Sequence, residues 1–470
     1  MSSSDAPLTP RAVSCPAKVL VAGGYLVLDR EYTGLVFGLD ARIHTVVEPI
    51  KTRSGVTINE ILVTSPQFRE AIWEYGYRSQ GQDGGITLTQ LSVGHEQSIA
   101  RSRNPFIETA LTYALTYIHA LLPKTLIQPS SIRILADQAY YSNPGVTRSS
   151  NIISQPHKVS RFQDFNVSLK EAHKTGLGSS AALVTSFTAA VLEFYLPKEL
   201  FDIHTEKGQT VLHNLAQASH SHAQGKVGSG FDIASAVYGS CLYKRFSPSL
   251  LSDLPQPSSP GFATQLRSLV EGPTWDTEIQ KAAIKMPKGV RLVMCDVDCG
   301  SETPGMVKKV LAWRAEKAEE AERIWKDLQK GNEALAAELT RLATDEQGDG
   351  DAKSKYDALK QIIESNRALI REMGEKSGVP IEPPQQTRLL DYCSKLDGVI
   401  GGVVPGAGGF DAIVLLVEDK AAVIEWLKVC LAQYEDPEAI GRVGVIGVRE
   451  EMVGVKEEDL SLYAEWKEAY

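Results

Sequence analysis

The stretch Lys174-Thr-Gly-Leu-Gly-Ser-Ser-Ala-Ala182 constrains this chain more than any other. A glycine turn feeds without a break into residues 179–196, a run rich in alanine and apolar on nearly every side, which Pro197 closes. A helix that is apolar all round has to be buried. Its first turn still carries N–H groups with no partner inside the helix, and the positive end of the helix dipole. Glycines ahead of it let a ligand approach the backbone closely. Such a helix start suits a phosphate. The candidate cradle is Gly176, Leu177, Gly178, Ser179, Ser180 and Ala181, with Lys174 placed to pair with a second phosphate. Either Ser180 or Ser179 can offer its hydroxyl to a phosphate oxygen or to a magnesium ion.

Two other nucleotide-binding turns are compared with this one through the residues downstream. The Gly-Lys-Ser/Thr ending of a P-loop is absent. Gly176, Gly178 and Ala181 fit the looser dinucleotide pattern, but that unit continues from its helix into a parallel strand. Here a second helix is expected first, over 210–224, with Val211, Leu212, Leu215, Ala216 and Ala218 facing inward. His213 and His220 on that helix are expected at the surface or as caps, since no carboxylate completes a metal set with them. Packing glycines at a helix cap would be the plainest account if this turn stood alone.

Two further glycine elements accompany it. Pro16-Ala-Lys18-Val-Leu-Val-Ala-Gly-Gly-Tyr25 sets a lysine at the start of an apolar β run that stops at a glycine pair. Far downstream, Val404-Pro-Gly-Ala-Gly-Gly-Phe-Asp-Ala412 sets a glycine loop before an apolar strand at 412–417. Together the three resemble the signature motifs of the GHMP kinases, ATP-dependent kinases of small molecules. The likeness is closest to the fungal phosphomevalonate branch and covers most of the chain. It is carried by Ala22-Gly-Gly-Tyr-Leu-Val-Leu28, Gln224-Gly-Lys-Val-Gly-Ser-Gly-Phe-Asp-Ile233, Glu382-Pro-Pro-Gln-Gln-Thr-Arg-Leu-Leu390 and Pro405-Gly-Ala-Gly-Gly-Phe-Asp411. Many GHMP kinases read Gly-Glu-His/Tyr in the first motif; Gly24 replaces the acid here, as in that branch.

The resemblance implies an α+β fold of two domains, with ATP and acceptor meeting in the cleft between them. It implies a transfer that uses ATP and Mg2+, with 5-phosphomevalonate as acceptor and mevalonate, or the small-molecule substrate of another GHMP kinase, as the alternative. Lys18 matches the lysine of the first motif and Asp232 the catalytic aspartate. Lys18, Tyr25, Lys226, Ser229, Asp232 and Arg388 are expected on the acceptor side, with Gly406, Ala407, Gly408 and Gly409 closing over the reacting phosphates. Ser301 and Thr303 are further candidates for the cleft wall. A phosphate monoester, with a second pKa of about 6, is mostly dianionic at neutral pH. Bringing two polyanions together is then the harder task, and lysines and magnesium matter more than a strong base.

Length and composition agree with a globular enzyme. At 470 residues two domains are expected, and 43% hydrophobic with 23% charged residues leaves enough apolar material for a large core. A formal net charge of −9 argues against nucleic acid or an anionic membrane as partner. Six thinly spread cysteines and the absence of an apolar leader point to a reducing compartment, so a cytosolic monomer is expected. Residues 1–12 read as a frayed end, 13–246 as the first domain, 247–260 as the connection and 261–470 as the second domain. Within these, 18–22 and 25–28 read as a hairpin, 35–39 and 43–47 as further strands, and 105–122 as a helix. Residues 142–165 read as a mobile loop that could serve as a lid, 290–296 as a strand, 307–342 as a long amphipathic stretch and 356–375 as a helix.

Overall fold

Two long strands, β1 (Arg11–Ala22) and β2 (Thr33–Pro49), pair antiparallel over nearly their whole length. Almost every residue in them is buried, so both faces of the sheet are covered here. They belong to a computed structural model that describes residues 8–50, 59–91, 103–142, 161–297, 303–345, 355–438 and 441–466. The hairpin exists, but its second arm begins at Thr33. Residues Leu26–Leu28, expected to be strand, form a 3-10 turn after Tyr25, whose φ is 65°. Val27 N–H donates to the Gly23 carbonyl at 3.0 Å, so the local turn satisfies backbone groups that a strand would need to pair. Segments 35–39 and 43–47 are one strand, with a register shift opposite Pro16 and Ala17. Order starts at least as early as Arg11, ahead of the expected residue 13; residues 1–7 lie outside the described ones.

The chain continues through β3 (Glu60–Thr64), β4 (Ile72–Gln80) and β5 (Gly85–Gln90), then α1 (Pro105–Leu121) and β6 (Ser130–Ala136). Asn104 caps α1 by accepting from Ile107 N–H. Two short strands, β7 (Tyr141–Ser142) and β8 (His173–Lys174), pair with each other. Most of the segment expected as a mobile loop, 143–160, lies outside the described residues. Three helices come next: α2 (Ser179–Tyr195), α3 (Glu206–Gln224) and α4 (Phe231–Tyr238). Then come β9 (Cys241–Lys244), α5 (Ser249–Ser252), α6 (Phe262–Glu271) and β10 (Glu278–Gln280).

The large sheet runs β10-β9-β2-β6-β3-β4-β5, with β1 on the other edge of β2. α2 packs against β1, β2, α1, α3 and α4, which accounts for its burial on every side. Phe187, Val191 and Leu192 are fully buried there and contribute about 1.5–3 kcal/mol each. α3 starts four residues before the expected 210, because the Thr205 hydroxyl accepts from Gly208 N–H at 3.0 Å and opens the helix.

The second half contains β11 (Val290–Val297), α7 (Thr303–Glu316), α8 (Ala318–Thr344), α9 (Asp357–Ser377) and α10 (Pro384–Cys393). It continues with β12 (Val399–Val403), β13 (Ala412–Glu418), α11 (Ala421–Ala432) and β14 (Val443–Ile446). Its four-stranded antiparallel sheet has the order β12-β13-β11-β14. The amphipathic stretch at 307–342 is two helices that meet at Lys317.

The expected domain limits need correction at both ends. α6 packs on α1 and β10 pairs with β9, so the first lobe runs past the supposed connection at 247–260, to residue 280. At the other end β15 (Glu450–Glu451) pairs with β2 and β16 (Lys456–Glu457) with β1, returning the chain to the first sheet. Val290, Leu292 and Met294 of β11 and Leu335 and Leu339 of α8 join the same apolar cluster as β1 and α2. One continuous core therefore fixes the two lobes around the cleft between them.

Candidate active site

β1 carries Lys18 to the start of α2. Lys18 N–H donates to the Leu177 carbonyl at 3.3 Å, which docks the strand on the glycine turn. Gly178 caps α2 with φ 80°, a left-handed conformation that disfavours any residue with a Cβ. Space excludes one as well: a Cβ there would lie 2.7 Å from Lys18 Cε and 2.8 Å from its Nζ. The ammonium also stands 5.6 Å from the centre of the Phe231 ring. Burial pushes the Lys18 pKa below the ordinary lysine value, and the neighbouring charge of Asp232 pulls it part of the way back.

The turn itself is held from behind. The Thr175 hydroxyl donates to the Ala139 carbonyl at 2.7 Å and Thr175 N–H to the Tyr140 carbonyl at 3.2 Å. Lys174 and Gly176 are exposed on the cleft wall, whereas the side chains of Leu177 and Ala181 belong to the core. Both serines are half-buried and engaged: Ser179 bonds the Tyr141 hydroxyl, and Ser180 Oγ lies 3.1 Å from His220 Nε2.

Asp232 sits in the first turn of α4, where its Oδ1 accepts from Ile233 N–H at 3.0 Å. The loop before it is pinned by Arg245, whose guanidinium donates to the carbonyls of Gly228 (2.7 Å), Val227 (3.3 Å) and Leu28 (2.6 Å). Tyr243 donates to the Ser229 carbonyl at 2.7 Å. The third glycine loop closes the other side. Gly406 N–H donates to the Leu20 carbonyl at 2.9 Å, the Tyr25 hydroxyl to the Ala407 carbonyl at 2.6 Å, and Gly409 N–H to the Ile381 carbonyl at 2.9 Å. A Cβ at Gly24 would overlap the Gly406 carbonyl oxygen, which is the physical reason for glycine where many relatives carry an acid.

These elements enclose one cleft of about 1150 Å3. Lys18, Lys174, Lys226 and Asp232 line it, as do Tyr25, Ser229 and Gly406 to Gly408. Leu177, Gly178, Ser179, Ser180, Ala181 and Gly409 do not line it; the Gly409 N–H anchors the loop. Sequence reasoning missed Arg245, Gln217 and His220 on the first lobe and Lys308 of α7 on the second. Ser301 lies outside the described residues, and of Thr303 only the backbone is placed, at the start of α7.

Two expectations fail. Arg388 does not reach the cleft: its guanidinium forks onto Asp436, both bonds at 2.8 Å, and bonds Glu438 at 3.2 Å. The motif around it braces the third loop instead, through Gln386 Nε2 donating to the Phe410 carbonyl at 2.7 Å. His213 and His220 are not at the surface; each is about 2% exposed. Their seven-residue spacing puts them on the inner side with Leu212 and Ala216, a signal that periodicity already contained.

No group of three or more His, Cys, Asp or Glu that could hold a metal occurs among the described residues. Magnesium does not need one, since it takes most of its shell from phosphate and water oxygens and one or two protein oxygens. The Asp232 carboxylate on the cleft wall and the Ser180 hydroxyl, half-buried beside the cleft-lining His220, are oxygen donors of that kind, so the residues fit the ion.

Comparison with known proteins agrees with this geometry. Residues 157–240 match the GHMP kinases N terminal domain and residues 333–434 the GHMP kinases C terminal domain. The chain is 50% identical to a phosphomevalonate kinase of Gibberella zeae, over 97% of this chain and 98% of that one. It is 35% identical to the phosphomevalonate kinase of Candida albicans, over 95% and 98% of the two chains. Among solved structures, the Streptococcus pneumoniae phosphomevalonate kinase in complex with phosphomevalonate and AMPPNP shares the fold. Its TM-score is 0.57 at 16% identity, covering 95% of this chain and 99% of that one. The chain belongs to the GHMP kinases, within the group that holds the fungal phosphomevalonate kinases.

Proposed function

We propose that this protein is a phosphomevalonate kinase, moving the γ-phosphoryl group of ATP onto the phosphate of (R)-5-phosphomevalonate to give 5-diphosphomevalonate and ADP. The observation that carries this reading is the meeting of all three glycine motifs, Lys18 and Asp232 in one cleft of about 1150 Å3. That volume exceeds the roughly 300–1,000 Å3 of a typical single-ligand pocket, so two polyanions fit side by side. The activity named for relatives at 35% and 50% identity supports the choice of acceptor.

The glycine turn, with Lys174 and the start of α2, takes the nucleotide phosphates. Ser180 or Ser179 and Asp232 supply oxygens to magnesium, which when bound neutralises charge on the reacting phosphates. Lys226, exposed on the loop before α4, takes the acceptor phosphate, with Tyr25 and Ser229 beside it. Lys18 lies between the two sides. A lysine removed from bulk water acts at higher field on the charge of a transferring phosphoryl group than an exposed one would. The acceptor oxygen is already anionic, so Asp232 is assigned to holding Lys18 and the metal rather than to removing a proton. A cytosolic monomer remains the proposed setting.

The test is product analysis of the purified protein with ATP and either 5-phosphomevalonate or mevalonate. Formation of 5-diphosphomevalonate, with mevalonate unreacted, is expected. Phosphorylation of mevalonate alone would replace this reading with its alternative.

A further inference from the structure

His220 is a buried polar side chain for which the proposed reaction has no direct use, and a buried polar group calls for a partner. Its Nε2 lies 3.1 Å from Ser180 Oγ and 3.3 Å from Gln224 Nε2. An amide nitrogen only donates, so Gln224 fixes His220 Nε2 as the acceptor and leaves the ring proton on Nδ1. The one lone pair of an unprotonated Nε2 is shared between that longer contact and the Ser180 hydroxyl, the nearer donor. The Ser180 proton is then committed to the ring and its oxygen lone pairs turn away from it. Phe106, tilted against the imidazole at 5.6 Å between centres, limits the ring's rotation.

We infer that His220 is a positioning residue: it orients the Ser180 hydroxyl so that oxygen, not hydrogen, faces the magnesium-nucleotide. Ser179 is tied instead to the Tyr141 hydroxyl, a group that both donates and accepts, so of the two serines only Ser180 faces a partner that does nothing but accept. The inference rests on the magnesium-nucleotide reading of the cleft.

Calorimetric titration of ADP with and without Mg2+, on the intact protein, tests it without turnover. His220→Leu is expected to lose roughly tenfold in affinity for ADP with Mg2+. Its affinity for metal-free ADP stays at the wild-type value. Ser180→Ala loses the same increment, and the double variant is no worse than Ser180→Ala alone. His220→Gln, whose side-chain oxygen reaches where Nε2 stands, restores most of the loss, and the shorter His220→Asn does not; this pair also serves if the leucine variant does not fold. Equal weakening with and without Mg2+, no weakening at all, or a further loss on top of Ser180→Ala would each overturn the inference. A wild type whose ADP affinity ignores Mg2+ would overturn the magnesium site itself.

Discussion

The ammonium of Lys18 stands where a side chain at residue 178 would have to go, since a Cβ on Gly178 would lie 2.8 Å from Nζ. The first and second glycine motifs are thus one device, in which the missing side chain of the helix cap makes room for the lysine of the strand. Lys18→Met is expected to lower kcat by about 10²–10³-fold, the scale of losing one preorganised charge at a transferring group. Gly178→Ala should lower kcat in the same direction by displacing an intact lysine. Steady-state kinetics beside a thermal melt check both; a Gly178→Ala enzyme with full kcat would mean that the Lys18 position is not critical.

Lys18 must be charged to act, and burial makes its proton easier to lose while Asp232 makes it harder. For the free enzyme kcat/KM should therefore fall, as pH rises, earlier than titration of an ordinary lysine near 10.4 would dictate. Asp232→Asn removes the negative charge that holds the proton. The alkaline limb of its residual kcat/KM profile should move to lower pH. A limb that stays in place or moves up would separate the two residues.

Lys226 and Arg388 make a contrasting pair, because both were candidates for the acceptor phosphate and only Lys226 lines the cleft. Lys226→Ala should raise KM for the acceptor about tenfold or more, as expected for a charge-assisted bond worth roughly 1.5–3 kcal/mol, and KM for ATP much less. Arg388→Ala should leave both KM values near wild type. Its cost falls on stability, since Asp436, whose side chain is fully buried, loses its bidentate partner. Two substrate titrations and one melting curve per variant separate these roles.

The nucleotide turn, the lysine strand and the third loop were legible in the sequence because glycine spacing and apolar runs are local signals. What stayed hidden was set by tertiary contact. Nothing local tells that Arg388 meets Asp436, 48 residues on, rather than a phosphate. Arg245 is hidden for the same reason: its role is to bind carbonyls brought together from residues 28, 227 and 228. The lobe boundary was misplaced because a Ser- and Pro-rich segment reads as a linker even where, as at 247–260, the chain returns to the same sheet. The buried histidines were readable from helical period, and were misassigned by residue type alone.

Gly24 shows a departure from the wider superfamily that has a steric cause. Its α-carbon faces the Gly406 carbonyl so closely that any Cβ overlaps a backbone atom, which cannot swing aside as a side chain would. Gly24→Ala should cost about 1–3 kcal/mol of stability, the range of overpacking, and should raise KM for both substrates by shifting the third loop. Gly24→Glu, which restores the acid found in many GHMP kinases, should be at least as damaging. Wild-type melting and kinetics in Gly24→Ala would mean that the two loops separate readily.

His213 sets an acid limit on stability. It is buried in α3, with Nδ1 at 3.0 Å from Asn214 Oδ1, its ring edge-on to Trp275 at 5.6 Å, and no partner for Nε2. Burial pushes its pKa down to about 4, while in the unfolded chain it returns to about 6.5. Below the unfolded value the unfolded chain takes up a proton that the folded protein refuses, so this group's contribution is present above pH 6.5 and drains away as pH falls toward 4. The full loss is about 3 kcal/mol, of which about 2 kcal/mol has gone by pH 5. His213→Leu should be modestly less stable at pH 7, because Asn214 loses a hydrogen-bond partner. Between pH 7 and pH 5 it should lose about 2 kcal/mol less than the wild type in urea titrations, because the unfolded variant has no imidazole to protonate. Parallel losses in the two proteins would show that the buried imidazole does not control acid stability.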